Sequence, residues 1–450
     1  MSPKNTAIRL AIVAAALGIA YSAGQSTPAA LTMWTWKPSH LDGLQKAAAN
    51  FTTKTGIPVK IQVFAPQEAY QTKLRAAAST GDLPDVFTDN SGANVFKKAT
   101  AGLFVELTDK LSPEWKRDFY PNAIESSYVS KDLVEGASKD PKSELKGLKP
   151  GQVFSVPILA GNACMIFASK TQLKAAGLNP NVAPRTWEQW VSMIQTTKRK
   201  DAQNGGVVTG LKNALTGHFW LYRPMSYLYL GAEKFSAREN NKLKWTSPES
   251  VETLRLYNQL SDLWMPGVLA TDIDPADVAF SQGKAAFDIG GSYTLSFLID
   301  QGMTANDLLI FPIPAPSKAA IKELILQPLS LIDAGVSKDS KNKEAAIQWL
   351  RYLTSKEGAT TFASSAKDLP ATMISTDRNV LGDALASIVA SFKPGKAFPT
   401  YDFSNQPSGQ DVNTPAGNAL IKLISKEATP QSAAETIQRA YDDAWKAVGK

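Results

Sequence analysis

The sequence is poor in the side chains that carry metal and redox chemistry. It has one cysteine, Cys164, and two histidines, His40 and His218. One thiol excludes an internal disulfide in a monomer. The histidines lie far apart, without metal-ligand spacing, so neither a metal nor a cofactor is expected. No Gly-x-Ser-x-Gly elbow, Walker loop or Gly-x-Gly-x-x-Gly turn occurs. There is also no basic block. The 48 lysines and arginines are dispersed among 41 acids, which argues against nucleic-acid binding, where a basic stripe is the usual footprint. Beyond the first thirty residues, nothing approaches the roughly twenty apolar residues of a membrane-spanning helix.

The N-terminus has a composition of its own. Lys4 and Arg9 precede an unbroken run of small and apolar residues, Ala11 to Ala20. Ala20-Tyr21-Ser22 and Ser22-Ala23-Gly24 then place small residues three apart, as a signal peptidase requires. Residues 1–24 therefore read as a secretory signal peptide, the apolar run being too short for an anchor. No cysteine follows that run, which excludes a bacterial lipid anchor. Removing Lys4 and Arg9 would take the net charge from +7 to +5. The remainder, about 425 residues, exceeds one core and suits two domains. Cys164 sits in the apolar run Ala163-Cys164-Met165-Ile166-Phe167 and reads as a small buried hydrophobe.

The elements read as α/β. Leu31 to Trp36 is a strand. Leu41, Leu44, Ala48 and Phe51 follow at near-helical spacing, and Thr55-Gly56-Ile57-Pro58 stops that helix. Val59, Ile61 and Val63 alternate as a strand. Tyr70, Leu74, Ala77 and Ala78 form a helical face, broken at Gly81-Asp82-Leu83-Pro84 before a third strand at Asp85. Strand, helix, strand, helix, strand gives a parallel sheet covered by helices, with ligands taken beyond the carboxyl ends of its strands. Val153–Pro157, Ala163–Ala168 and Ala285–Ile289 are further strands. Ser247-Pro248 and Thr429-Pro430 open helices, each with proline at the first helical position. Ser138 to Pro150 reads as a surface loop.

Several stretches, in order, resemble the extracellular solute-binding proteins of ABC importers, in the maltose- and oligosaccharide-binding branch. They are Leu31–Trp36, Phe51–Val59, Thr80-Gly81-Asp82-Leu83-Pro84-Asp85-Val86-Phe87, Ala101–Leu107 and Gly151–Pro157. Pro184-Arg185-Thr186-Trp187-Glu188, Phe280-Ser281-Gln282-Gly283-Lys284-Ala285-Ala286-Phe287 and Ser340–Ala346 continue the series. Ala371 to Asn413 matches poorly. The resemblance implies a two-lobed periplasmic-binding-protein fold of type II, maltose-binding-like, with a hinge. The expected division is 25–155 with 328–367 in the N-terminal lobe and 156–327 with 368–450 in the C-terminal lobe. It also implies a sugar ligand, membrane permease subunits as partners, a periplasmic location and a monomer.

A sugar site wants flat rings for C–H faces and amides or carboxylates for hydroxyls. Trp36, at the carboxyl end of the first strand, is a candidate, with Trp34 as its packing neighbour. Asp89 and Asn90 follow the third strand at the same crevice edge. Asn162 follows the crossing strand. Trp220 and Tyr293 align with aromatics the family sets against sugar. Tyr293 comes just after Gly290-Gly291, whose backbone is expected to approach the ligand with free amides. Tyr401 and Asn405 are loop candidates. No catalytic residue is assigned. Two carboxylates alone could make a glycosidase, so an exported carbohydrate-processing enzyme and a binder of a non-sugar solute stay open as alternatives.

Overall fold

The computed structural model describes residues 29–139, 142–392, 395, 397–400, 404–407 and 409–449. The expected signal peptide, residues 1–24, and Tyr401 lie outside the described residues.

Two sheets organise the chain. The first holds β1 (Leu31–Thr35), β2 (Val59–Val63), β3 (Val86–Asn90), β4 (Val156–Gly161) and β9 (Leu329–Val336), in the order β2-β1-β3-β9-β4. The second holds β5 (Met165–Ser169), β6 (Val207–Val208), β7 (Phe287–Gly290) and β8 (Leu308–Pro312), in the order β6-β7-β5-β8. β1 is parallel to β2 and β3, as the strand–helix alternation requires. β9 runs antiparallel to both its neighbours, β3 and β4, because it returns from the second sheet.

Local chemistry explains the first lobe. The helix Leu41–Thr55 buries Leu44, Ala47, Ala48 and Phe51, and Gly56 ends it at φ 74°, a conformation open to glycine at little cost. The helix Gln67–Thr80 buries Tyr70, Leu74 and Ala77. In the second lobe, the Thr186 side chain accepts from Gln189 N to start the helix Trp187–Lys200, and Ser247 does the same for Pro248–Asn258. Cys164 is fully buried, and burial pushes its thiol well above the usual range.

The dividing points differ from the sequence expectation in two places. Val156–Gly161 pairs with β9, so it belongs to the first sheet, and the chain passes over between Gly161 and Met165. Leu369–Ala371 lies along β4, with Ala160 N donating to Leu369 O at 3.0 Å and Tyr120 N to Ala371 O at 3.0 Å. The last passage therefore follows Ala371 rather than residue 367. The helix Asp383–Ser391 beyond it packs on β8. The start of the expected surface loop, Ser138 and Lys139, belongs to the helix Lys131–Lys139.

Candidate functional site

The carboxyl ends of β1, β3 and β4 in one sheet and of β7 in the other meet at the lobe junction. There, Ser292 N donates to Asn162 O at 3.0 Å. Gly161 is required at this point, since a Cβ on it would lie 2.3 Å from Ser292 Oγ. Beside it, the turn Pro38–His40 of the first lobe packs on the helix Thr294–Asp300 of the second. Trp36 and Tyr293 lie just before these two segments.

Trp36 is nearly buried and its ring lies on Tyr70, with centroids 5.4 Å apart. The Tyr70 hydroxyl donates to Thr88 O at 2.7 Å, tying the helix beneath Trp36 to β3. Trp34 packs edge-on against Phe64 and donates its indole N–H to Gln62 at 2.8 Å, a packing residue as expected. Asp89 is fully buried. Its carboxylate pairs with the Lys98 ammonium and accepts from Gln71 Nε2 at 3.1 Å. That engagement places it in the interior of the first lobe, not at the crevice edge. Asn90, half-buried, stands opposite Ile332 of β9.

Trp220 and Tyr293 come together. Trp220 sits on a π-helical turn, His218–Tyr222, and meets the Tyr293 ring edge-on at 6.4 Å. The glycines before Tyr293 serve a different purpose from the expected one. A Cβ on Gly291 would stand 2.5 Å from the Tyr293 ring, so glycine lets that ring lie over the backbone. The amides here are also taken: Gly291 N donates to Thr294 Oγ1 at 3.1 Å and Ser292 N to Asn162 O.

Asn162 is a junction residue. Its Nδ2 donates to Gln327 O at 2.8 Å and to Thr400 Oγ1 at 2.9 Å, joining the first two passages between the lobes to a C-terminal segment of the second lobe. Its Oδ1, like Ser292 Oγ, is buried with no partner among the described residues, and a buried acceptor without a donor costs about 1–3 kcal/mol. Asn162 lines a cavity of about 280 Å³ with Asn122, Gln327, Leu329, Phe398 and Thr400. Through Asn122 and Gln327 this space adjoins a more apolar one of about 760 Å³, bounded by Tyr120, Met373, Val389 and Phe392. Asn405 is exposed and lines a different cavity in the second lobe, beside Arg223, Tyr227, Phe235 and Glu239.

Sequence reasoning missed Asn122, Gln327, Thr400 and Ser292. The expected lobe boundary between 327 and 328 pointed near Gln327, and the candidate Tyr293 lies next to Ser292. Among the described residues, no group of three or more His, Cys, Asp or Glu is placed to hold a metal, and no helix is long and apolar enough to cross a membrane.

Comparison with known proteins agrees with this architecture. Residues 37–360 match the sequence model of the bacterial extracellular solute-binding proteins. A probable amino-acid ABC transporter periplasmic-binding protein of Sinorhizobium fredii is 23% identical over 404 residues, covering 81% of this chain and 88% of that protein. The sn-glycerol-3-phosphate-binding periplasmic protein of Pectobacterium atrosepticum is 23% identical over 386 residues, covering 82% and 79%. Among solved structures, the maltotriose-binding protein of Thermus thermophilus aligns with a TM-score of 0.55 at 19% identity, over 93% of this chain and 100% of that one. The structural likeness establishes a two-lobed, maltose-binding-like fold. With a family match over well more than half of its length, the chain belongs to the bacterial extracellular solute-binding proteins.

Proposed function

We propose that this protein captures a sugar or oligosaccharide between its two closing lobes and delivers it to the membrane permease of an ABC importer. In this reading it works as a monomer in the periplasm, after export by its N-terminal signal peptide. One observation carries the choice of ligand. The junction cavity is lined by the neutral polar side chains of Asn122, Asn162, Gln327 and Thr400 with apolar walls, and no charged side chain lines it among the described residues. The Trp220–Tyr293 pair adds flat rings in the second lobe. An amino acid or a phosphate ester, the ligands named for the two curated relatives, would call for charged partners. Maltotriose, the ligand named for the structural neighbour, would not.

The test is a thermal-shift and calorimetric panel of maltotriose, xylotriose, diacetylchitobiose and galactose beside glutamate and glycerol 3-phosphate. A bound saccharide at a hundredfold excess over its Kd should stabilise the fold by about 2.7 kcal/mol. Stabilisation by a charged solute alone would replace the sugar reading. Cleavage of the oligosaccharides during incubation would revive the enzyme alternative.

A further inference from the structure

We infer that Ser296 and Asp368 form a latch between the lobes, making Asp368 a positioning residue for closure. The inference rests on the two-lobe capture reading. Asp368 follows the helix Lys356–Ala366, which packs on the helix Leu41–Thr55 of the first lobe. The Asp368 side chain is buried and fully engaged. Oδ1 accepts from Leu369 N at 2.8 Å. Oδ2 meets His40 Nε2 at 3.1 Å and accepts from Ser296 Oγ at 3.2 Å.

These partners come from opposite lobes. His40 ends the Pro38–His40 turn, four residues after Trp36, and its ring stands edge-on to Phe362 at 5.2 Å. Ser296 lies on the helix Thr294–Asp300, three residues after Tyr293; its single hydroxyl proton is shared between Tyr293 O at 3.0 Å, within its own helix, and Asp368 Oδ2 at 3.2 Å across the junction. One turn further on, Asp300 faces the field of Lys37 and His40 and the side chain of Ser39. Burial raises the Asp300 carboxyl above its usual range, against the pull of those partners. The segments that follow the two aromatic candidates are thus held together.

The geometry separates what opening would break from what it would leave. His40, Phe362 and Asp368 all belong to the first lobe, so their contacts survive a hinge motion. Ser296 and Asp300 belong to the second and would leave. Water can replace a lost hydroxyl donor on a carboxylate that becomes exposed, so such a bond biases an equilibrium without locking it. A ligand joining the same two segments would add to this bias.

The experiment uses the full mature chain without ligand. Spin labels go on Lys60→Cys in β2 and Val182→Cys in the second lobe, both exposed, while Cys164 is buried. Pulsed electron resonance then gives the interlobe distance. Ser296→Ala should lengthen and broaden that distance with little change in unfolding temperature. Asp368→Asn, which keeps the shape but not the charge, should do the same to a lesser degree. His40→Gln should lower the unfolding temperature more than it moves the distance. An unchanged distance in Ser296→Ala, with or without a loss of stability, overturns the latch. A parent protein whose labels do not move with any panel solute that binds it would fail the capture reading instead, and the ligand-free comparison would still stand.

Discussion

Asp277 and Asp288 are the most strained acids of the second lobe. Both are buried, Asp277 on the helix Ile273–Ser281 and Asp288 on β7. Burial pushes the Asp288 carboxyl up to about 7. Asp277 is also raised well above the usual range, first by burial and then by the charge of Asp288. Two ionised carboxylates buried side by side repel, so the pair holds a proton more readily than either group would alone. Below the ordinary value of 3.8 the folded and unfolded chains both hold their protons, and the contribution to stability is complete. Above about 7 the folded pair must ionise inside the core, and that contribution is lost. The unfolding temperature should therefore fall as the pH rises from about 4 to about 7, the interval between the ordinary and the raised value. Asp288→Asn removes one titrating carboxyl and the repulsion it exerts on Asp277, and should flatten the slope. A pH series by calorimetry checks this, and parallel slopes in the two proteins would refute it.

At the scale of elements, the helix Leu41–Thr55 lies against Lys356–Ala366 at a close approach set by Gly43. A Cβ there would stand 2.6 Å from Phe362 O and 3.1 Å from the Ala366 methyl group. Gly43→Ala should cost about 1–3 kcal/mol by overpacking. Gly136→Ala, on the exposed side of the helix Lys131–Lys139 with nothing within 4 Å, should instead stabilise by about 0.4–1 kcal/mol. Urea denaturation of the two variants separates packing from helix propensity, and equal shifts would deny the close approach. The same elements show what a sequence can disclose. The opening strands and helices were legible because Val59, Ile61 and Val63 alternate and Gly56 and Gly81 end the helices. β4 and β5 were legible only to within a few residues. Buried on every position, they lack the alternation that marks an edge. Asp89 looked like a crevice residue because a strand end reads alike whether its carboxylate faces a cleft or a lysine nine positions on. Asn162 meets Gln327 and Thr400 across 165 and 238 residues, and no local pattern reports such a junction.

The proposed closure would be a property of the whole molecule, and its energetics bear on which lobe must hold the ligand. A solute touching one lobe binds open and closed forms alike and shifts nothing. Moving the population from 1:99 to 99:1 needs about 5.5 kcal/mol of preference for the closed form. Each ring of the Trp220–Tyr293 pair, stacked on a sugar face, would contribute about 1–3 kcal/mol. Both rings belong to the second lobe, so on their own they set affinity and not closure; the preference for the closed form would come from contact added by the first lobe, with Trp36 as the candidate. Trp220→Ala and Tyr293→Ala combined should leave weak binding without closure. By small-angle scattering, the parent should shrink in radius of gyration at saturating saccharide and the double variant should not, even when its weaker site is filled. Trp36→Ala should weaken affinity by a similar amount per ring and also impair closure, since contact from either lobe alone is insufficient. An unchanged radius in the saturated parent would remove the clamp mechanism. A double variant that still contracts would move the ligand's second-lobe contacts away from Trp220 and Tyr293.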